Sequence, residues 1–323
     1  METYIGLDFG GTKLLIGETD AEGNILDCKK YMTGYVNQQS AVDIIRSSLC
    51  DYLRGTSGVD RNPVAIGIGM IGRVDTASGR WLQIDLDRSQ PISLSHVITE
   101  TFGLPCYLCN DVKSAALAEQ RWGYGRLSDN FIYINIGTGI AAGTVVGGRL
   151  ICGSHFNAGE VGHTQTGVRT GVHCCCGRTD CVEAIASGTG FDLNARLLAP
   201  HYPDTALQIP DKDTRVDVRR VYELARKNDS LCTVLVDNAA RAIANLIMNL
   251  VRVSDPDTVV LGGGIVSDPM MYNNILKYLH NGTMRFVTNG VVLTRLDPAH
   301  AGLLGAAAVA ITEYSKNLNN SMS

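Results

Sequence analysis

The apolar and polar positions of the N-terminal third predict three strands followed by a helix. Thr3 to Phe9 is rich in β-formers, Gly10-Gly11 turns the chain, and Thr12 to Glu18 continues it. Glu22-Gly23-Asn24 turns it again before Ile25 to Tyr31. The spacing predicts a helix over Ser40 to Leu53. Ala41, Ile44, Ile45, Ser48, Leu49, Tyr52 and Leu53 fall on one face. Ser40 reads as its N-cap, with Asp43 three residues on. Val64 to Met70 has the continuous apolar character of a buried strand. Ser95 to Phe102 reads as a short helix stopped by Gly103 and Pro105. Cys106 to Cys109 is a further strand, with a helix from about Val112 to Trp122.

The opening pattern then returns. Asn130 to Ile136, Ile140 to Val146 and Arg149 to Cys152 read as strands, separated by Gly137-Thr138-Gly139 and Gly147-Gly148. Helices follow near Asp217 to Arg226 and Ser230 to Val251. Thr258 to Leu261 is a strand ending in Gly262-Gly263-Gly264. A helix near Pro269 to His280, a strand at Val291 to Thr294 and a last helix from Gly302 to Tyr314 complete the chain. Two copies of a hairpin unit followed by alternating helices and strands imply an internal duplication and an α/β fold. The expected domains are 1–115 and 116–323, flanking a cleft. The stretch from about 152 to 210 fits neither repeat and reads as an insertion. The last helix, about 302–315, is expected to pack back on the N-terminal domain.

Composition narrows the function classes. With 45% hydrophobic and 19% charged residues, the 323-residue chain is not a disordered one. Its 28 Lys and Arg against 32 Asp and Glu leave a net charge of −4, without basic runs. That argues against nucleic acid as a partner. No apolar stretch reaches the ~18–20 residues of a membrane span. The opening METYIGLDFGG lacks the basic and apolar regions of a secretion signal. The expectation is a cytoplasmic protein with reduced thiols, so the ten cysteines are not a disulfide framework.

Chemistry concentrates in five segments. Asp8-Phe9-Gly10-Gly11-Thr12-Lys13 joins two predicted strands. Its glycines bring backbone N–H groups to an anion, Thr12 adds a hydroxyl and Lys13 a charge. Asp8 at a strand end suits a hydrated magnesium ion. Gly137-Thr138-Gly139 repeats the motif and favours a phosphate site over a bare turn. Gly67-Ile68-Gly69-Met70-Ile71-Gly72 spells GxGxxG but leads into a turn-rich segment, so the dinucleotide reading is rejected. Asn110-Asp111 lies between a strand and a helix. It reads either as a general base facing a ligand or as a helix cap. His163 with Cys174, Cys176 and Cys181 offers one imidazole and three thiolates, a donor set for structural zinc. His173 is a rival fourth ligand.

Together LDFGGTK (7–13), GIGMIG (67–72), ND (110–111), NIGTGI (135–140), GEVGH (159–163), CCCGRTDCVE (174–183), LGGGI (261–265) and GAAAVA (305–310) resemble the ROK family of sugar kinases and related repressors. The resemblance spans nearly the whole chain. It implies an actin-like (ribonuclease H-like) fold and an ATP-dependent hexose kinase using Mg2+ and structural Zn2+. It also implies sugar and ATP as partners and a homodimer or homotetramer. Asp8, Gly10, Gly11, Thr12, Lys13, Gly137, Thr138 and Gly139 would then grip phosphates, and Gly263 and Gly264 would border adenine. Asp111 matches the catalytic base. Asn110, Glu160, His163, Glu183, Gly69 and Asp85 match the sugar side, with His163 also a zinc ligand. The family's Pro is Ile71 here, its Asn before a Leu is matched by Asp85-Leu86, and a usual Gly is Phe156. The sugar side is therefore altered, with glucose the default and fructose, mannose, allose and N-acetylhexosamines open. A sugar-responsive repressor or a non-catalytic sugar sensor is the alternative.

Overall fold

The computed structural model describes residues 1–34, 37–55, 61–85 and 87–322. Leu86 of the sequence reading lies outside them. Contacts divide the chain into two compact units. The first comprises 1–126, 150–158 and 295–323. The second comprises 127–149 and 159–294.

In the first unit, strands β1 (Glu2–Phe9), β2 (Lys13–Thr19), β3 (Ile25–Met32) and β4 (Asn62–Met70) are joined by helix α1 (Gln38–Gly55). A small hairpin, β5 (Arg73–Asp75) and β6 (Arg80–Gln83), precedes α2 (Leu94–Phe102), β7 (Cys106–Asn110) and α3 (Asp111–Trp122). The second unit holds β8 (Phe131–Ile136), β9 (Ile140–Val146) and β10 (Arg149–Leu150). Its helices are α4 (Val182–Ala186), α5 (Gly188–Leu198), α6 (Val218–Ala225) and α7 (Ser230–Ser254). β11 (Thr258–Gly262), α8 (Pro269–Tyr278), α9 (Asn281–Met284) and β12 (Gly290–Leu293) follow. The chain ends in α10 (Ala301–Met322), which belongs to the first unit.

Duplication is visible in the sheets. One runs β3-β2-β1-β4-β7 and the other β10-β9-β8-β11-β12, so the second order repeats the first element for element. In each, a hairpin supplies the antiparallel edge, and the central strands pair in parallel. Parallel strands collect their ligands at the carboxyl ends, and this is where the glycine turns and Asn110-Asp111 fall.

The glycines of GxGxxG have a packing role. Gly67 to Met70 lie on β4, and the motif leads into the β5–β6 hairpin rather than a helix. A Cβ on Gly67 would stand 1.9 Å from the Ala306 carbonyl oxygen. Only a bare backbone lets α10 lie that close to the sheet. Helix α10 packs on β1, β4 and α3.

Two expectations about helices need correction. The start of α1 is capped by Asn37, whose Oδ1 accepts from the Ser40 backbone at 2.8 Å. Ser40 is already inside the helix, its hydroxyl turned back to the Asn37 carbonyl. Helix α7 is long and apolar enough to cross a bilayer, but its stripe from Leu231 to Val251 is buried in the second core. It is a core helix by packing.

Candidate functional site

In the first unit, Asp8, Gly69 and Asn110 end or nearly end three adjacent parallel strands. Asp8 pairs in register with Gly69, and Met70 with Asn110. Burial raises the Asp8 carboxyl above its ordinary range, and the Lys13 ammonium acts against that shift. A carboxylate held in that condition suits a cation, whose charge would offset the lost hydration. Gly10 N–H donates to the Lys13 carbonyl at 3.0 Å, which closes the turn. Gly302, in the first turn of α10, sits beside Asp8: a Cβ there would stand 2.3 Å from the carboxyl carbon.

Asn110 is the cap: its Oδ1 accepts from the backbone of Val112 at 3.1 Å and of Lys113 at 3.2 Å. Its Nδ2 donates to the Gly72 carbonyl at 3.0 Å. Asp111 is the first residue of α3 and stays half-buried, its Oδ1 accepting from Val112 N–H at 2.9 Å. Gly69 lies under it, with the Asp111 Cα 3.8 Å from where a Gly69 Cβ would be.

Asp85 is exposed, and its carboxylate is engaged locally. It accepts from the backbone of Asp87 and Arg88 and pairs with the Arg88 guanidinium. Those bonds, chiefly from the Arg88 side chain, hold its carboxyl below the usual range. Phe156 takes a backbone φ of +60°, a region that disfavours a side chain. That explains why a glycine suits this position.

In the second unit, Gly137-Thr138-Gly139 follows β8, and Gly137 N–H donates to the Gly139 carbonyl at 3.0 Å. The turn has a neighbour that sequence reading missed. Gly188 N–H donates to the Gly137 carbonyl at 2.8 Å, and the Thr189 hydroxyl to the Thr138 carbonyl at 3.0 Å. The start of α5 therefore brackets the turn; its signal was the Ser187-Gly188-Thr189-Gly190 run. Glu183 belongs to the same cluster: its Oε2 accepts from Ile140 N–H at 2.8 Å. Gly263 and Gly264 follow β11, which pairs with β8 as far as Gly262 and Asn135. Glu160 is exposed, and its carbonyl accepts from His163 N–H at 3.2 Å.

His163, Cys174, Cys176 and Cys181 come together. Their ligand atoms all lie within 4.8 Å of one another. His163 Nδ1 is 3.4 Å from Cys174 Sγ, and the Cys176 and Cys181 sulfurs are 3.5 Å apart. Thiolates held at ~2.3 Å by a tetrahedral zinc lie about 3.8 Å apart, so the donors fit that ion. His173 is exposed and joins no such cluster among the described residues. The Arg178 backbone N–H is the main influence drawing the Cys176 thiol down to about 6, whereas burial pushes Cys181 up to about 12.

The sequence matches the ROK family over residues 4–313. The chain belongs to the ROK family. A glucokinase from Streptomyces coelicolor is 32% identical over 96% of this chain and 98% of its own. A ROK glucokinase from Streptomyces griseus, solved with glucose and AMPPNP, superposes with a TM-score of 0.75 at 29% identity. It covers 96% of this chain and 99% of that one. A regulator is similar too: NagC of Escherichia coli, a DNA-binding transcriptional dual regulator, is 24% identical over 94% of this chain and 74% of its own length. The actin-like fold of the ROK kinases accounts for the duplicated sheets.

Proposed function

We propose that this ROK protein transfers the γ-phosphoryl group of ATP to a hexose, on the 6-hydroxyl, with Asp111 as general base. The chain is a sugar kinase, in keeping with its glucokinase relatives. The observation that carries the finer reading is the placement of Asp8, Gly69 and Asn110-Asp111 at neighbouring strand ends. Asp111 is positioned by the helix that Asn110 caps, and removes the proton from the sugar hydroxyl. Asn110, Gly69, Asp85, Glu160, His163 and Glu183 are assigned to the sugar. Backbone donors at 10–12 and 137–139, with Thr12, Lys13 and Thr138, hold the phosphates as charge spreads over them. Gly263 and Gly264 border the base. A magnesium ion near Asp8 would supply charge neutralisation for the phosphate oxygens. Zinc on His163, Cys174, Cys176 and Cys181 would fix the loop that carries Glu160 and Glu183, as a structural ion.

A general base contributes typically ~10²–10⁴-fold, so positioning and charge must supply the larger share of the rate. An ADP-release assay with ATP, magnesium and a panel of glucose, mannose, fructose, allose and N-acetylhexosamines tests the activity. Sugar-dependent ADP release on at least one member is expected. Binding of a sugar without ADP release from any of them would leave a sensor or regulator instead.

A further inference from the structure

The edge strand β3 carries an exposed thiol, Cys28, whose sulfur is 3.9 Å from His300 Nε2. The other ring nitrogen, Nδ1, is 2.7 Å from Asp297 Oδ2. A carboxylate can only accept, so Nδ1 carries a hydrogen, and in the neutral ring the lone pair is then on Nε2, the nitrogen nearer the thiol. The Asp297 carboxyl is held below its ordinary range, first by the Ala299 backbone N–H and then by His300. It is therefore ionised at neutral pH.

The ring's backbone is pinned on both sides. His300 N–H donates to the Asp297 carbonyl at 2.9 Å, and the His300 carbonyl accepts from Leu304 N–H at 2.9 Å. Gly17, the cross-strand partner of Cys28, explains how the pieces meet. A Cβ there would stand 2.9 Å from the Cys28 Cβ and 2.8 Å from Leu303 Cδ2. Strand β3 and the first turn of α10 thus converge on one point from sequence positions 272 apart.

We infer that Cys28, His300 and Asp297 form an activated-thiol site that takes small disulfides, separate from the residues assigned to sugar and phosphate. Asp297 sets the ring tautomer, and His300 Nε2 accepts the thiol proton. The Cys28 sulfur attacks one sulfur of the incoming disulfide. A Cys28–sulfur bond forms, the original S–S bond breaks, and the released thiolate takes the proton back from His300. One disulfide is consumed and one mixed disulfide is made, so no further oxidant is needed. The adduct then stands at the start of the helix whose Gly302 borders Asp8.

The test uses the full chain and an excess of dithiobis(nitrobenzoate) over its ten cysteines, quenched over time and digested with trypsin. The peptide 14–29 reports Cys28 alone, and 47–54 reports Cys50. Cys28 is expected to label before Cys50. Its rate is expected to fall about tenfold in His300→Asn and by a smaller factor in Asp297→Asn. Asn is a favourable residue at a helix start, so α10 keeps its cap. His300→Gln is the second variant. Cys28 is already exposed, so a loosened structure would leave its labelling no slower, and a slower rate separates a chemical role from a structural one. Labelling of Cys28 at the wild-type rate in both His300 variants, or Cys50 reacting first, overturns the inference.

Discussion

The buried ammonium of Lys113 donates to the carbonyl of Phe156 at 2.8 Å. Phe156 is the residue with φ of +60°, and the segment 150–158 that holds it belongs to the first unit. Arg73 adds a second tie, donating to the His155 carbonyl at 3.4 Å. Three residues after Phe156 the chain reaches Gly159-Glu160. Lys113 thus ties α3, which Asp111 begins, to the segment 150–158 of the same unit. Lys113→Met removes the tie while keeping the length of the side chain. The sugar KM is expected to rise about tenfold with a smaller change in kcat. Initial rates over a range of hexose concentrations check this, and an unchanged KM would remove Lys113 from the positioning of the site.

Asp111→Asn keeps the shape of the side chain and its acceptor oxygen for Val112 N–H. It loses the capacity to take a proton. Turnover should drop ~10²-fold or more while sugar affinity, measured by calorimetry, stays near that of the parent. Undiminished turnover would end the assignment of the base.

Gly302→Ala places a methyl group 2.3 Å from the Asp8 carboxyl carbon. Either Asp8 swings away or the start of α10 shifts. The KM for magnesium-ATP should rise about tenfold, while hexose binding without nucleotide stays unchanged. Equal ATP kinetics in parent and variant would mean that Asp8 takes no part in holding metal and phosphate.

The cysteine cluster predicts one zinc per chain by elemental analysis. Cys181→Ser should lose the metal and lower Tm by roughly 5–10 °C. If metal-free protein, prepared with a chelator, keeps its fold and full sugar affinity, the ion does not support the Glu160 and Glu183 loop.

Asp229 predicts part of the acid limb of stability. It caps α7, accepting from Cys232 N–H at 3.0 Å and from Ala206 N–H at 2.7 Å. Burial would raise its carboxyl, but these bonds, with the Thr205 hydroxyl, bring it below the usual range. The ionised form is the one that folds best. Its contribution is therefore complete above the unfolded pKa of ~3.9 and is lost as pH falls through the lower folded value. Asp229→Ala should cost about 1–2 kcal/mol at pH 7. The gap to the parent should narrow towards pH 2 in urea melts; a constant gap contradicts the linkage.

The duplicated hairpins, the parallel strands and the glycine turns were legible because alternation and turn residues are local signals. The zinc donors were legible because three cysteines and their spacing lie within eight residues. What escaped depended on partners distant in sequence or on competing local rules. Ser40 fits the cap pattern, yet the helix starts earlier, and Asn37 accepts from the Ser40 N–H itself. Helix α5 hid behind Gly188 and Gly190, residues that read as loop. Glu183 meets Ile140 across 43 positions. Arg88 captures Asp85 through a turn that the carboxylate alone does not announce. Helix α10 runs to Met322, past the apolar stretch that ends near Tyr314, although the Ser and Asn residues there are weak helix formers.

The way α10 covers Gly67 and the neighbouring strands has a biosynthetic consequence. The sheet of the first unit lacks its lid until residues 295–323 have left the ribosome. Everything from 159 to 294 is translated before that lid exists, although the strands it covers emerged first. During synthesis the first unit's sheet must wait, with a stripe of bare glycine backbone open to any chaperone or stray helix, for the helix that covers it.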